Sequence, residues 1–535
     1  MKTPILGQAY VARTINAADN RMVNLFPEAT PEGSKDTGFL NRAPGLRTLA
    51  NIGTGPIRAV WANQTRGEDA FVVSGNEFYG INTNYVSTLI GTVSGTGPVS
   101  IADNGIQLFL ACNPDGFIYN KATKVFQKIT DPDFAGAITV GYIDGYFVFN
   151  QPDSQIVWVT TLLDGTSVDP LNFASAESAP DILLSLAVNN REVWLFGTNS
   201  TEVWYDAGLA GFPLAPIQGA FNEVGCLAAY SVAKLDNSLF WLGADARGFG
   251  VVYRNQGYNA LRVSTHAIEF AIQNYSVLTD AIAYTYQQEG HSFYVLTFPT
   301  VGKTWVYDVA TSLWHERAGF KNGDYTRHRS NCQMNFNQEI IVGDFENGNI
   351  YALDLDVYKD GTGIQKWLRS WRALPQGANN YKRTAQHTLQ LDAETGVGLN
   401  LYPEYDVAET ITTQTGLGLA TGNVGLLLTE AGDCLVTESG DDIGTDYDVL
   451  ITTVHTAAPG YYPEAMLRWS DDGGHTWSNE HWSSMGQLGN YGKRIFWRRL
   501  GMTLKLRDRV YEVSGTDPVK VSIMAAELQL SPTRA

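Results

Sequence analysis

Short apolar runs separated by turn-forming residues dominate the chain from about residue 57 onward. The first copy of this pattern has apolar runs at 57–61, 70–73 and 78–81, with a Ser-Gly-Asn turn before the last run. Runs rich in Val, Ile, Phe, Tyr and Trp that are joined by Asn, Asp or Gly are typical of β-hairpins. No apolar stripe of helical period competes with them. The pattern therefore predicts an all-β chain.

The same order of strands recurs at a spacing of roughly 40 to 50 residues, which is the spacing of β-propeller blades. One small twisted sheet cannot bury both faces, whereas sheets stacked around an axis cover one another and leave only short edges. The copies begin near residues 57, 99, 137, 184, 231, 281 and 332. Seven copies can close a ring. The alternative is a run of unrelated β-meanders or a sandwich.

The pattern divides the chain into three segments. Residues 1–56 predict an extended N-terminal arm, which either donates a strand that closes the ring or reaches a neighbouring subunit. Residues 57–361 form the predicted β-propeller of about seven blades, and residues 362–535 a C-terminal β-sandwich-like domain. A Gly-, Thr- and acid-rich stretch near 410–444 holds a short tandem repeat and predicts an inserted hairpin or loop.

The net charge of the chain limits the kinds of molecule that it is expected to bind. The chain has 37 basic and 55 acidic residues, a formal charge of −18 at pH 7. Such a field repels nucleic-acid phosphates unless the basic residues gather in patches. We therefore do not expect DNA wrapping, although an acidic wall suits a channel through which DNA slides.

Signals for metals, cofactors and membranes are weak. The four cysteines are far apart, and neither a His-x-x-x-His pair nor a phosphate-binding glycine loop occurs. Asp354 and Asp356 stand at strand spacing and could touch calcium, but a solvated turn is the simpler interpretation. Without a signal-peptide pattern or a run of about 18 apolar residues, we expect folding in a reducing cytoplasm with no membrane anchor. No catalytic residue, cofactor or metal is predicted.

Residues 470–477 match the Asp-box pattern Ser-x-Asp-x-Gly-x-Thr-Trp, which occurs in sialidases and other β-proteins. The Asp472 carboxylate can accept hydrogen bonds from turn amides, Gly474 can take a positive φ, and Trp477 can pack beneath the hairpin. Together with Ser470 and Thr476, these residues predict a structural turn without catalysis.

Basic and aromatic residues interleave in two further stretches, at 366–372 and 493–499. Such interleaving can form a nucleic-acid face. On a strand, however, alternation directs the aromatic residues to the core and the arginines outward. We therefore interpret the following residues as a subunit interface or a solvated face: Lys366, Arg369, Arg372, Arg494, Arg498 and Arg499.

The run 467–478, with its continuation through 492–501 and 507–513, resembles the packaged-DNA stabilisation proteins of short-tailed bacteriophages. Residues 23–28 and 43–46 are similar to the N-terminal arm of that family. The resemblance spans both ends of the chain and brackets the predicted propeller.

This resemblance implies a tail nozzle or hub that is a structural virion protein and not an enzyme. It implies a hexameric ring docked under the portal and adaptor rings, which closes the DNA exit channel after packaging and receives the tail needle and tailspikes. Double-stranded DNA is expected to pass through the channel without sequence-specific binding. Assembly is expected in the host cytoplasm and the final location in the phage tail.

Two other functions fit parts of the sequence. A carbohydrate-binding or sialidase-like tail protein needs a groove lined with aromatic residues and paired carboxylates. A propeller interaction module inside the cell needs neither. A sialidase also needs an arginine cluster and a tyrosine nucleophile, and usually several Asp-boxes inside the blades, whereas the single box here follows the repeats.

Overall fold

The computed structural model describes most of the chain as β-strands. The described residues are 2–15, 18–63, 70–176, 179–209, 211–372, 383–397, 406–419, 425–426, 443–456, 460–487, 489–504 and 509–532. Seven strands precede the predicted repeats: β1 Lys2–Thr3, β2 Tyr10–Val11, β3 Asp19–Asn20, β4 Met22–Val23, β5 Leu25–Ala29, β6 Gly38–Arg42 and β7 Gly45–Asn51.

Four antiparallel sheets follow, each of four strands laid side by side in chain order. Blade 1 has β8 Ile57–Ala62, β9 Ala70–Ser74, β10 Glu77–Ile81 and β11 Ser87–Thr92. Blade 2 has β12 Ser100–Asp103, β13 Gln107–Cys112, β14 Asp115–Asn120 and β15 Val125–Lys128. Blade 3 has β16 Val140–Ile143, β17 Tyr146–Asn150, β18 Ile156–Val159 and β19 Phe173–Ser175. Blade 4 has β20 Leu183–Asn189, β21 Glu192–Gly197, β22 Thr201–Asp206 and β23 Leu214–Asn222.

Three more blades complete the set. Blade 5 has β24 Gly225–Cys226, a 3-10 turn at Ala229–Ser231, β25 Ala233–Leu235, β26 Ser238–Asp245, β27 Gly248–Gln256 and β28 Asn259–Arg262. The helix α1, His266–Gln273, separates it from blade 6, which has β29 Ile282–Gln288, β30 His291–Phe298, β31 Lys303–Asp308, β32 Leu313–Lys321 and the added β33 Asp324–Arg327. Blade 7 has β34 Ser330–Phe336, β35 Glu339–Asp344 and β36 Asn349–Asp354.

The seven sheets form a closed ring. Their innermost strands, β8, β12, β16, β20, β25, β29 and β34, line the axis, and β34 of blade 7 lies directly against β8 of blade 1. Apolar side chains from neighbouring blades share clusters, such as Phe71 and Phe78 of blade 1 with Tyr119 of blade 2. The predicted β-propeller is therefore confirmed, and the alternative of unrelated meanders is not what the chain forms.

Strand β7 supplies the fourth strand of blade 7. It pairs antiparallel with β36, with Leu46 opposite Leu353 and Thr48 opposite Tyr351. Of the two roles considered for the N-terminal segment, strand donation is the one that the structure shows. Because the donated strand comes from the opposite end of the propeller sequence, the closure ties the ring's two ends together.

Twelve strands follow the propeller: β37 Lys359–Asp360, β38 Gly363–Ile364, β39 Trp367–Arg372, β40 Thr384–Ala393, β41 Asp406–Leu419, β42 Gly425–Leu426, β43 Ile443–Thr456, β44 Glu464–Ser470, β45 His481–Ser484, β46 Ile495–Met502, β47 Val510–Gly515 and β48 Ser522–Pro532. Most of them build a sandwich. One sheet has the order β46-β40-β48-β6-β5, and the other continues as β4-β39-β47-β44-β45. Trp371, Leu389, Trp497, Tyr511 and Ile523 fill the core between them. The predicted C-terminal β-sandwich is confirmed.

The N-terminal segment is extended, as predicted, but its strands lie inside both domains. Strands β1, β5 and β6 belong to one sandwich sheet. Strand β4 pairs with β39 of the sandwich and, in parallel, with β32 of blade 6. Residues 2–51 therefore join the propeller and the sandwich.

Strands β41 and β43 form a long antiparallel hairpin between β40 and β44. Their register runs from Asp406 opposite Thr456 to Leu419 opposite Ile443. This hairpin is longer than the stretch flagged by the sequence, and the tandem repeat at 427–442 lies outside the described residues. Among the residues described, no helix is long and apolar enough to span a bilayer.

Candidate functional site: axial cavity, Asp-box turn and arginine clusters

A small cavity of about 230 Å³ lies on the propeller axis. Every blade contributes to its wall, among other residues Arg58, Ser100, Thr139, Ser185, Tyr230, Tyr284 and Asn331. Blades meet at the axis because each begins with its innermost strand. The cavity is smaller than the roughly 300–1,000 Å³ of typical small-ligand pockets.

Tyr230 bridges blades across this cavity. It stands on the 3-10 turn of blade 5, and its hydroxyl donates to the Ile138 carbonyl oxygen of blade 3 at 3.3 Å. Tyr294 holds the turn by donating its hydroxyl proton to the Ser231 carbonyl oxygen at 2.7 Å. Burial raises the pKa of Tyr230 to about 12, so this phenol stays protonated and able to donate at neutral pH. Tyr230 therefore ties blade 5 to blade 3 at the axial cavity.

The Asp-box forms the turn after β44 in the sandwich. The Asp472 carboxylate accepts from the Thr476 hydroxyl at 2.6 Å, the Thr476 amide at 2.8 Å and the Ser470 hydroxyl at 2.7 Å. The bonds from Thr476, and then that from Ser470, hold the pKa of Asp472 well below its usual range. Gly474 has φ +104°. These hydrogen bonds close the turn between Ser470 and Thr476.

This turn also contacts the N-terminal segment. A β-carbon at Gly474 would approach an Asp19 carboxylate oxygen to 2.5 Å and the Ile15 side chain to 2.9 Å. Trp477 is half-buried beneath the Arg468 guanidinium, which lies 4.8 Å from the centre of its ring. The Asp-box thus supports the segment that joins the two domains.

Arg509 anchors the base of the Asp-box turn. Its guanidinium donates to both Asp471 carboxylate oxygens, at 2.7 and 2.9 Å, and to the Leu500 carbonyl oxygen at 2.6 Å. Burial lowers the pKa of Arg509, but the bond and charge of Asp471 outweigh it and raise that pKa overall. Arg509 lies in the family-like run 507–513, but nothing in the sequence indicated that it would pair with Asp471.

The predicted basic residues at 366–372 are not a surface cluster. Arg369 is 1% exposed and donates to the carbonyl oxygens of Ile5, Gln8 and Asn20. Arg372 is 6% exposed and donates to the carbonyl oxygens of Ile15 and Gly473. The expectation that these arginines face outward is corrected for a physical reason. Arg369 shares a face of β39 with the core residues Trp367 and Trp371, whereas Arg372 lies on the opposite face, and the N-terminal segment contacts both arginines through Ile5 and Ile15.

Lys366 lies at the edge of the same strand. It is half-buried, with its ammonium 5.1 Å from the centre of the Phe320 ring and 3.9 Å from a Glu480 carboxylate oxygen. It therefore contacts blade 6 and the sandwich at once. Arg369, on the same strand, is fully buried, and this burial lowers the pKa of its guanidinium to about 10.

The second basic stretch keeps its arginines exposed, with Arg499 in the left-handed region at φ +61° so that it and its neighbour Arg498 both face outward. Trp497 and Ile495 of β46 are buried in the sandwich core, whereas Arg494, Arg498 and Arg499 are exposed. No carboxylate of the described residues lies within 4.0 Å of these three arginines. The structure thus separates the six predicted interface residues into a buried set and an exposed set.

Sequence reasoning missed the polar junction between the domains. Asn24 donates to the carbonyl oxygens of Ala318 and Lys366, and it accepts from the Ala318 amide. Buried Glu316 of blade 6 accepts from Arg21 at 3.2 Å and from Lys303 at 3.0 Å. Asn24 lies in the family-like run 23–28, which marked the segment but not its role.

Arg42 also holds this junction together, through five hydrogen bonds. It is 3% exposed and donates to five oxygens of the backbone and of the Gln365 side chain. Burial lowers its pKa to about 10.

A cleft of about 770 Å³ lies between the propeller and the sandwich, and it is lined by Tyr358, Tyr491 and several carboxylates. Its Glu394 is paired with Lys520 at 3.0 Å, and its buried Arg42 is saturated by the oxygens described above. Glu289 and Asp356 also line the cleft.

The Asp354 carboxylate accepts from the Arg47 guanidinium at 3.0 Å and from the Asp356 backbone amide at 2.9 Å, and the second bond is typical of a turn. The described part of the chain contains no group of three metal-ligating side chains. Burial raises the pKa of Cys112 to about 12 and of Cys226 to about 11, so both are inert thiols. Cys434 lies outside the described residues.

Family comparison decides the class of protein. The profile described as "Bacteriophage P22 Gp10, beta-propeller" matches residues 1–358, which is more than half of the chain. The chain belongs to the bacteriophage P22 Gp10 family. A second profile, "Bacteriophage P22 Gp10, beta-sandwich", matches residues 447–531. The resemblance to packaged-DNA stabilisation proteins is confirmed at both ends, and this Gp10 family member is a structural protein of a phage tail.

Solved structures resemble the Gp10-like chain only distantly. Virginiamycin B lyase from Staphylococcus aureus is 11% identical, with a TM-score of 0.40 over 58% of this chain and 98% of its own. The N-terminal domain of Nup159 is 9% identical, with a TM-score of 0.36 over 61% and 97% of the two chains. The designed protein Ika8 is 10% identical, with a TM-score of 0.37 over 58% and 100%. No curated protein sequence matches the chain.

Proposed function

We propose that this protein forms the nozzle of a short phage tail. Six copies assemble in a ring below the portal and adaptor, close the DNA exit channel after packaging and so retain the packaged DNA. The tail needle and tailspikes attach to the ring. The protein works by its shape and its permanent contacts, without a chemical step.

The small size of the cavity at the propeller axis is the observation that carries this proposal beyond the family. Tyr230 lines this cavity of about 230 Å³ and links blade 5 to blade 3. The cavity is smaller than a typical small-ligand pocket, and the major groove of B-DNA alone is about 12 Å wide, so we do not expect a duplex to pass through one propeller. A DNA channel in this tail therefore has to lie between copies of the chain, which is what a ring provides.

Two further features suit a permanent assembly. The segment at residues 2–51 belongs to both domains, so the propeller and the sandwich are held together by backbone pairing and buried arginines. The net charge of −18 disfavours tight binding of phosphates, which suits DNA that must leave quickly.

Deletion of the gene tests the proposal. Phage that lack this chain should package DNA and then lose it, and purified wild-type chain added to freshly filled heads should restore retention. DNA protected from nuclease, measured per particle, reports the effect. Chain counting by mass measurement of tails should give six copies per particle. Normal DNA retention without the chain would contradict the proposal.

A further inference from the structure

Charge is divided unevenly along this chain. Residues 131–246, which include blades 3 and 4 and the start of blade 5, carry fourteen acidic and two basic residues, or −12 of the total −18. Residues 481–510 of the sandwich carry seven basic residues and one acidic residue, and among those described Lys493, Arg494, Arg498 and Arg499 are exposed whereas Arg509 is buried. The molecule therefore presents opposite charges on two different parts, and surfaces of opposite charge attract one another.

The acidic part also exposes apolar side chains. Of the 22 large hydrophobic side chains that are exposed in the described residues, 12 lie between residues 162 and 270. Several stand on or beside the outermost strands of blades 3, 4 and 5, next to exposed carboxylates. We call this surface the acidic rim, defined by Asp169, Leu171, Phe173, Phe221, Glu223, Tyr258 and Leu261.

Contacts on the rim connect neighbouring blades. The side-chain amide of Asn222 donates to the Tyr258 carbonyl oxygen, and the backbone amide of Ala260 donates to the side-chain oxygen of Asn222 at 3.2 Å. Phe221 of blade 4 and Tyr258 of blade 5 therefore belong to one continuous surface. An exposed apolar patch bordered by charge is typical of a protein interface.

The basic part has the matching composition. Two hydrogen bonds connect strands β45 and β46. The Ser483 hydroxyl donates to the Phe496 carbonyl oxygen at 3.1 Å, and the Trp497 indole donates to the His481 carbonyl oxygen at 2.8 Å. We call this surface the basic flank, defined by Trp482, Arg494, Arg498, Arg499 and Met502. Trp482 is 56% exposed. Tryptophan and arginine are the residues most enriched in the energetic centres of interfaces.

We propose that the acidic rim of one copy binds the basic flank of the next copy. Two different complementary surfaces on one chain make a head-to-tail contact, which closes into a ring when the rotation between copies fits. This inference rests on the proposed ring and names the surfaces that form it. Arginines that pair with no carboxylate among the described residues of their own chain thereby meet the carboxylates of the neighbour.

A reciprocal charge exchange tests the pairing. The rim variant carries Asp169→Lys and Glu223→Lys, and the flank variant carries Arg498→Glu and Arg499→Glu. Full-length chains are supplied to phage that lack the gene, and copies per tail are counted. Each variant alone should be incorporated at least about tenfold less than the wild type, because like charges then face each other. A mixture of both should recover most of the wild-type count, because each then faces the opposite charge.

Matched controls separate this effect from misfolding and from loss of charge in general. Lys321→Glu and Asp324→Lys reverse exposed charges on blade 6, away from both surfaces, and should leave incorporation unchanged. Thermal unfolding of each purified variant should match that of the wild type, since all substituted side chains are exposed.

Three results would overturn the inference. Normal incorporation of either variant alone, or a mixture no better than its components, would show that the two surfaces do not meet. A flank defect that the mixture fails to rescue, combined with lost binding of a DNA duplex, would assign the flank to DNA. All three results leave the nozzle function standing. Absence of the wild-type chain from tails would overturn the nozzle function, and this interface with it.

Discussion

Strands β39 and β46 carry nearly the same pattern of basic and aromatic residues and use it in opposite ways. Arg369 and Arg372 of β39 are buried and bind backbone carbonyl oxygens of the N-terminal segment and the Asp-box turn. Arg498 and Arg499 of β46 face solvent. Since both strands border the same sandwich core, the pattern alone does not decide the fate of an arginine. The presence or absence of a covering layer decides it.

The buried arginines hold segments together, and the exposed ones remain available to a partner. A guanidinium can donate five hydrogen bonds, so one residue can fix several carbonyl groups of a chain segment that has no regular partner strand. The cost is desolvation, which lowers the pKa of Arg369 and Arg42 to about 10. Four substitutions sharpen this contrast.

Arg369→Ala should have the largest effect. It leaves three carbonyl groups of the N-terminal segment without a donor and opens a cavity, so we expect a loss of about 2–4 kcal/mol in the free energy of unfolding. Urea unfolding followed by tryptophan fluorescence measures it. A loss below about 0.5 kcal/mol, the usual range for surface substitutions, would contradict a role as a staple.

Asp360→Asn tests what it costs to bury a carboxyl group instead of a guanidinium. Asp360 is 4% exposed, and burial raises its pKa to about 7 although Arg42, Arg317 and Arg329 oppose the shift. A carboxyl whose folded pKa is raised stabilises the protein below its unfolded pKa, and this contribution is lost as the pH rises toward 7. We expect Asp360→Asn to stabilise by about 1–3 kcal/mol at pH 8.

The pH dependence is the control for that substitution. The advantage of Asp360→Asn should shrink as the pH falls from 8 toward 4, because the wild-type carboxyl then becomes protonated and neutral. Thermal unfolding at a series of pH values measures it. An advantage that stays constant over this range would show that ionisation of Asp360 is not its cause.

Asp472→Ala should have a smaller effect, about 1 kcal/mol, because its hydrogen bonds lie in a turn open to solvent. Proteolysis should then cleave the turn faster while the rest of the sandwich stays intact. Asp472→Asn, which keeps part of the hydrogen bonding, should behave in between. Loss of a hydrolytic activity in a folded Asp472→Ala protein would contradict the structural interpretation of the Asp-box.

Arg498→Ala should have the smallest effect on the isolated chain, within about 0.5 kcal/mol of the wild type. Its consequence should appear only in assembly, as fewer copies per tail. Denaturant unfolding and chain counting on the same preparation separate the two readouts. A large loss of stability in the monomer would remove the distinction between the two arginine sets.

Local patterns predicted the propeller well. The hydrogen-bonded neighbours inside blades 1 to 4 are adjacent in sequence, so alternation and turn residues were sufficient to find them. The Asp-box turn was predictable for the same reason, since its hydrogen bonds join Ser470, Asp472 and Thr476 only a few residues apart.

Long-range pairings escaped prediction. Donation of a strand by residues 1–56 was one of two predicted roles, but the sequence did not identify β7 or its partner β36. Arg42 binds the carbonyl oxygens of Tyr358 and Val519, which lie several hundred residues away. Nothing near Arg369 in the sequence showed that Ile5, Gln8 and Asn20 would cover it. The sequence marked the candidate residues on β39 and β46 alike and could not separate them.

The sequence by itself determined the strands, the number of blades and the turn chemistry, because these follow from the side-chain period of two and from residues that favour tight turns. Only the tertiary structure decided which arginines are buried, how the N-terminal segment joins two domains and that Tyr230 links two blades at the axial cavity. Burial depends on which distant segments meet, and the packing of the whole chain selects those meetings.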